Sequence, residues 1–289
     1  MLFLQSLISG LLTGGVYALA GMGMSMVFGV MNVSNFAHGD LMMLGMYLAY
    51  FAFTLLNIDP YLSLVLIIPL AFMFGYVLEK VFINRVIHHP HQNQILLTIG
   101  LGLIMSNSAL LAFTSDPRIL TTSYSSSSFT VFRDVSVSVP LLLSFIITCG
   151  ITALLYLFLS GTRTGMALRA TSQNREAAQL MGINVSRITA IAFGIGTALA
   201  AAAGALIAPT YYIHPLAGHS FLLKAFTICV LGGLGSVVGA TVGGLIIGVV
   251  EALSSVYLSS DWKDVVVFVL FLAVLLFRPQ GLFGKKGDQ

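Results

Sequence analysis

Side chains that could do chemistry are few in this sequence, and several of them interrupt long apolar runs. Asn35, His38 and Asp40 stand at the break between the first two apolar runs, and Lys224 and Glu251 lie within later ones. Polar groups in apolar surroundings are costly, so they usually face a cavity or another helix. Two interpretations of the first three residues stay open: the lining or gate of a pathway, or a surface loop in which Asn or Asp caps a helix.

Lys224 and Glu251 also admit two interpretations. They could contact a transported solute, which would place Glu251 on the same pathway, or they could pair with each other inside the protein. A metal site is not predicted, because His214 and His219 flank Pro215 without an evident third ligand nearby.

The composition indicates what surrounds these residues. Hydrophobic residues make up 57% of the chain and charged residues 8%, whereas a soluble domain carries roughly 25% charged residues. The apolar runs are continuous rather than alternating, which favours helices over a barrel of strands. At about twenty residues per span, the length allows roughly eight to ten crossings of a lipid bilayer. We therefore predict an all-α, polytopic membrane protein with a single transmembrane domain over residues 1–289 and no role in nucleic-acid binding.

The expected spans follow the apolar runs. They lie at residues 4–30, 41–57, 61–83, 93–113, 140–160, 188–208, 221–236, 237–257 and 265–277. Lys and Arg gather in three short segments, 80–91, 161–187 and 278–286, and such segments normally face the cytoplasm. The serine-rich loop 114–139 balances its charges, so we place it outside.

The segment 161–187 is the longest polar stretch on the predicted cytoplasmic side. Within it Ala177, Leu180 and Met181 fall at i, i+3 and i+4, on one face of a helix. Gly182 then suits a left-handed helix C-terminus. The pattern predicts a surface helix of two to three turns with a small apolar face. Its simplest use would be to rest on lipid headgroups, and its more specific use would be to dock a cytoplasmic protein.

Glycines recur four residues apart in the later apolar runs. Gly235, Gly239 and Gly243 form one such series, and small residues at this spacing give a flat stripe that lets helices approach closely in lipid. Helix packing is the first interpretation of the stripe and pore lining the second. No internal repeat is evident in the sequence.

The surface-helix segment resembles the EAA loop of ABC importer permeases. The likeness rests on Glu176-Ala177-Ala178 followed, after three residues, by Gly182, although the later Leu-Pro of the longest form of the motif is missing. In that family the loop forms a coupling helix that sits in a cleft of the ATP-binding subunit. The resemblance thus implies an ATPase-coupling role for a short set of residues: Arg175, Glu176, Ala177, Ala178, Leu180 and Gly182.

Three further blocks resemble the permease of the high-affinity branched-chain amino acid importer. They cover residues 10–40, 224–260 and 278–284 in the order that the family shows, and the chain is similar to the shorter of its two permeases. The resemblance implies a bacterial inner-membrane importer built from two permeases, two ATP-binding subunits and a periplasmic substrate-binding protein. ATP and Mg²⁺ would be bound by the partner subunits, and no cofactor by this chain.

The absence of a phosphate-binding loop agrees with that arrangement. No G-x-x-x-x-G-K-[ST] motif occurs in the sequence, so we do not expect this chain to be an enzyme that hydrolyses ATP. The alternative is an ion-coupled secondary transporter or channel for a small polar solute such as urea or an amide. That alternative leaves the cytoplasmic helix without an obvious use.

Overall fold

The computed structural model describes residues 2–87, 89–132, 135–278 and 280–284. The helices are α1 (Leu2–Met31), α2 (His38–Leu56), α3 (Leu64–Leu78), α4 (Asn84–Val86), α5 (His91–Phe113), α6 (Val139–Gly161), α7 (Arg163–Gln173), α8 (Arg175–Leu180), α9 (Val185–Ile207), α10 (Ala217–Gly232), α11 (Val237–Tyr257) and α12 (Lys263–Phe277). A π-helical turn, Glu79–Ile83, joins α3 to α4, and a 3-10 turn, Ser260–Trp262, precedes α12. His88, Lys285 and Lys286, which belong to the predicted cytoplasmic segments, lie outside the described residues.

The helices confirm a polytopic membrane protein. Among the described residues, seven helices are long and apolar enough to cross a bilayer: α1, α2, α3 continued through α4, α5, α6, α9 and α11. The other two predicted spans form the shorter helices α10, of 16 residues, and α12, of 15 residues. A helix of 16 residues rises about 24 Å, less than the roughly 30 Å of a hydrocarbon core.

Small residues hold the centre of the bundle together. Gly10 and Gly14 of α1 lie against Gly248 and Gly244 of α11, so the two helices run antiparallel with their backbones in contact. The alanine-rich helix α9 is mostly buried and packs against α1, α2 and α3. In lipid, helix association depends on such close van der Waals packing rather than on the hydrophobic effect.

Two helix pairs are interrupted inside the bundle. Short non-helical segments separate α1 from α2 and α9 from α10. α2 therefore begins beside the middle of α1, where the His38 ring donates a hydrogen bond to the carbonyl oxygen of Ala20 at 2.9 Å. The first turns of α2 and α10 meet, with Gly39 against Gly218. Irregular backbone at this depth is tolerated because protein surrounds it.

The two interrupted pairs have corresponding packing partners. α1 packs along α11 as α9 packs along α3, and α10 packs on α1 as α2 packs on α9. The correspondence is partial, because α10 packs extensively on α11 whereas α2 makes few contacts with α3.

Gly235 departs from the predicted helical stripe. The chain turns between α10 and α11, with φ of +98° at Gly233 and +84° at Gly235, a region that glycine adopts without strain. Ser236 then caps α11 by accepting a hydrogen bond from the backbone of Gly239 at 3.0 Å. Gly239 and Gly243 do pack against α10, so the stripe starts one turn later than predicted.

One end of the bundle carries an antiparallel hairpin, β1 (Ser128–Phe132) and β2 (Val135–Ser138), which the sequence patterns did not predict. The first turn of α1 reaches it, since the Gln5 amide donates to the Ser136 hydroxyl at 3.0 Å. We call this the hairpin end. It contains the loop 114–139 that the charge pattern places outside.

The hairpin end is tied to the bundle by polar contacts. The backbones of Arg118 and Ile213 exchange hydrogen bonds of 2.8 and 2.9 Å. The Tyr124 phenol donates to the Asp59 carboxylate. Burial, followed by the hydrogen bond to Asp59, raises the pKa of Tyr124 well above its usual value.

The opposite end, here called the basic end, holds α7 and α8. Residues 280–284 border a common cleft with Arg169 and Arg175, and the buried Glu79 before α4 contacts Thr189 in the first turns of α9. The described parts of the three cation-rich segments that the sequence assigns to the cytoplasm therefore lie together, opposite the loop assigned to the outside.

Helix α6 is the least embedded of the long helices. Four of its described residues are buried: Pro140, Ser144, Thr148 and Leu155. Two apolar crevices flank it, one of about 480 Å³ between α3, α6 and α9 and one of about 450 Å³ between α1, α6 and α11. At the basic end α6 continues through Thr162 into α7.

Candidate functional site

The polar residues at the first helix break come together at the junction of α2 and α10. The Asn35 side-chain oxygen accepts a hydrogen bond from the backbone of Ala37 at 3.1 Å and so turns the chain into α2. His38 is fully buried. Asp40 is 5% exposed and lies between Gly102 of α5 and Gly218 of α10. All three residues therefore lie inside the bundle rather than in a surface loop.

Glycine makes this junction possible. A side chain at Gly218 would meet the Asp40 carboxylate and the Asp40 backbone at 2.8 and 2.9 Å, so α10 approaches α2 closely only because Gly218 has no side chain. The carboxylate lies beside the first turn of α10, where the helix dipole is positive. The junction is closed, and separating α2 from α10 would open it.

Glu251 belongs to a different cluster. Lys224 of α10 forms an ion pair of 2.6 Å with Glu251 of α11, and its ammonium group also donates to the Tyr17 hydroxyl at 3.2 Å. The Tyr17 and Tyr211 hydroxyls are 3.0 Å apart. The pairing interpretation is thus the one that the geometry supports, and Glu251 does not join Asn35, His38 and Asp40.

A buried glutamate at the basic end escaped the sequence analysis. Glu79 has no exposed surface and accepts a hydrogen bond of 2.8 Å from the Thr189 hydroxyl of α9. The predicted span 61–83 includes Glu79, but no role was predicted for it, because Lys80 and Arg85 beside it indicated only that the span ends nearby. The available signal was its place one turn after Gly75 on the face that packs against α9, because Gly75 lies against Thr197.

The predicted surface helix exists and is bounded by local hydrogen bonds. Asn174 caps α8 by accepting a bond of 2.9 Å from the backbone of Ala177. At the other end Gly182 has φ of +82°, and the backbone of Ile183 returns to the carbonyl of Ala178 at 3.1 Å. This pattern is a glycine C-cap, as predicted, although α8 spans 175–180 and a separate helix, α7, precedes it.

Most of the α8 surface faces away from the protein. Leu180 is 88% exposed and Met181 82%, and Glu176 and Ala177 are exposed as well. Ala178 is buried against the body of the protein, so it positions α8 rather than presenting a surface. Two large apolar side chains beside a small exposed alanine form a compact knob at the basic end.

A wide cleft of about 700 Å³ opens beside this knob. Its walls come from the end of α1, the end of α7, the turn before α11 and residues 280–284, and Arg169 and Arg175 lie on its rim. Among the described residues no group of three His, Cys, Asp or Glu is arranged to hold a metal ion.

The described residues form a multi-pass helical bundle that has interrupted helices at its centre and the exposed α8 surface at one end. This is the architecture of a membrane transport permease. The comparison with known proteins defines the kind. The chain belongs to the family of permease components of branched-chain amino acid transport systems, whose family model matches residues 6–275.

Curated relatives match over nearly the whole chain. The permease protein BraD of the high-affinity branched-chain amino acid transport system of Pseudomonas aeruginosa is 37% identical over 98% of this chain and 96% of its own length. The permease protein LivH of the corresponding system of Escherichia coli K12 is 35% identical over the same shares. A permease of an autoinducer 2 import system, LsrC of Yersinia pseudotuberculosis, is 30% identical over 49% of this chain and 44% of its own. No solved structure matches the chain.

Proposed function

We propose that this chain is a permease subunit of a bacterial inner-membrane ABC importer for amino acids, with leucine, isoleucine and valine as its substrates. The full-length similarity to permeases named for branched-chain amino acids supports the substrate class. The exposed, doubly capped helix α8 supports the partner, because a chain without a phosphate-binding loop needs an ATPase to drive uptake.

In this mechanism α8 enters a cleft of the ATP-binding subunit. Ala177 allows close approach, while Leu180 and Met181 supply apolar area that is exposed in the free chain. ATP and Mg²⁺, bound by the partner, supply the energy by closing the ATPase dimer. This chain receives the movement at α8 and passes it through α7 to α6 and through the Gly182 turn to α9.

The translocation pathway in this mechanism passes the junction of α2 and α10. Asn35, His38 and Asp40 hold the junction in its closed form, and a relative movement of α9 and α1 separates the two first turns. A second, related permease completes the pathway, and a periplasmic binding protein delivers the amino acid at the hairpin end.

The decisive experiment combines purification with a coupling assay. We expect the chain, isolated in mild detergent, to co-elute with an ATP-binding subunit and a second permease. In proteoliposomes Glu176→Lys and Ala177→Arg are expected to abolish ATP-driven leucine uptake while membrane insertion is unchanged, since both place charge or bulk on the exposed face of α8. Gln92→Lys, an exposed change at the same end, is the control.

Two results would contradict this assignment. Normal uptake in both α8 variants would remove the coupling role. Uptake by the isolated chain without nucleotide would instead support the ion-coupled transporter.

A further inference from the structure

A small cavity of about 90 Å³ lies between α10 and α12, apart from the α2–α10 junction. Residues of one face of α10 and one face of α12 line it: Ser220, Leu223, Lys224, Thr227, Asp264, Val267 and Phe268. The cavity thus combines one cation, one anion and two hydroxyl groups with apolar side chains.

Lys224 and Asp264, the two charged residues that line the cavity, do not form a hydrogen bond with each other. Lys224 uses two of its three ammonium donors on Glu251, at 2.6 Å, and Tyr17, at 3.2 Å. Asp264 lies 3.8 Å from the same nitrogen, too far for a hydrogen bond. The third donor of Lys224 and the carboxylate of Asp264 therefore stand apart across the cavity.

The charge balance favours a ligand that carries an ammonium group. One cation faces two carboxylates, those of Glu251 and Asp264, so the cluster bears a net charge of −1 with all three groups ionised. An ammonium group beside Asp264 would neutralise that excess. A carboxylate in the same ligand could accept from Lys224 and from the hydroxyls of Ser220 and Thr227. An α-amino acid headgroup carries both groups on one carbon.

The surroundings accommodate the rest of such a ligand. The cavity is large enough for the headgroup alone, and its apolar border is open: Leu223 is 50% exposed and Phe268 41% exposed. An aliphatic side chain of the ligand would lie across these two residues, which adds apolar burial to the ionic contacts.

We infer that the cavity between α10 and α12 is a binding site for the zwitterionic headgroup of a free α-amino acid, with Asp264 holding its ammonium group and Lys224 its carboxylate. The inference rests on the proposed importer function and adds a place where the substrate is held on this chain. A phosphatidylethanolamine headgroup carries the same pair of charges and is the competing occupant.

The test measures leucine uptake by the complete importer in proteoliposomes at saturating leucine-loaded binding protein. Asp264→Asn removes the negative charge that would face the ligand's ammonium group. Because Asp264 is exposed, the substitution should not disturb folding. The Asp264 side chain is 63% exposed, so solvent screens its charge, and we expect the maximal uptake rate to fall about threefold to fivefold, with the nucleotide-driven ATPase rate and the subunit composition unchanged. Asp264→Glu should restore most of the rate.

Asp261→Asn is the matched control, since Asp261 is an exposed carboxylate in the turn before α12 and does not line the cavity. Equal uptake by the Asp264→Asn and Asp261→Asn variants would overturn the inference while leaving the importer function intact. A wild-type importer that transports no α-amino acid would overturn both. A second arm repeats the assay in vesicles with and without phosphatidylethanolamine. A difference of about threefold to fivefold between those vesicles in the wild type that disappears in Asp264→Asn would assign the cavity to lipid instead.

Discussion

The contact between α1 and α11 provides a quantitative test of how this bundle is held together. A Cβ atom added at Gly14 would lie 2.8 Å from the carbonyl oxygen of Gly244 and 3.0 Å from the Cα of Leu245. Both atoms belong to the α11 backbone, so no side chain can rotate away. The helices must separate by about 0.6 Å at this point to restore ordinary contact of 3.4 Å.

Gly14→Ala should therefore destabilise the protein. Overpacking of this kind costs about 1 to 3 kcal/mol, and it opposes the roughly 1 kcal/mol by which alanine favours a helix over glycine. We expect the midpoint of thermal unfolding to fall by on the order of 5 °C. The assay is loss of the monodisperse peak in detergent after heating, followed by fluorescence of a fused reporter.

Gly150→Ala in α6 is the control for helix propensity. Nothing lies within 4 Å of a Cβ atom at Gly150, so the same substitution should leave the midpoint unchanged or raise it. A Gly14→Ala variant as stable as Gly150→Ala would refute close glycine packing as the source of stability in this bundle.

Three further predictions concern α8 and the buried ion pair. Gly182→Ala forces φ of +82° on alanine, a conformation that costs about 1 to 2 kcal/mol. This variant should take up less leucine per ATP hydrolysed, whereas Gly182→Asn should be tolerated. Asn174→Ala removes the α8 cap, worth about 1 kcal/mol, and should speed hydrogen exchange at the amide of residue 177. Lys224→Met leaves Glu251 buried and unpaired, which should destabilise the protein by about 3 to 5 kcal/mol and lower its expression. Adding Glu251→Leu should restore expression but not uptake.

Local signals in the sequence were sufficient for the elements at the basic end. Gly182 acts on backbone groups within a few residues of itself, so its C-cap role was predicted from residue type and spacing. The Asn174 N-cap is an equally local signal, although it was not predicted. The long apolar runs were predicted for the same reason, because hydropathy is a property of a continuous segment.

Features that depend on tertiary packing could not be predicted from local sequence signals. The junction of α2 and α10 brings Asp40 to Gly218, and the ion pair brings Lys224 to Glu251. Nothing in either neighbourhood specifies its partner, so the pairing was one of two open interpretations. Glu79 was missed because its partner, Thr189, is distant in sequence and polar neighbours resemble a span end.

The sparse packing of α6 against the rest of the bundle has a mechanical consequence. A helix with four buried side chains and an apolar crevice on either side can tilt while few contacts are broken, whereas α1 and α11 cannot slide without forcing glycine backbones apart. α6 is also the rod that runs from the hairpin to α7. If α8 docks on an ATPase as we propose, a force applied there would reach the hairpin end through this weakly held helix, while the glycine-packed pair of α1 and α11 would stay fixed as α6 moves.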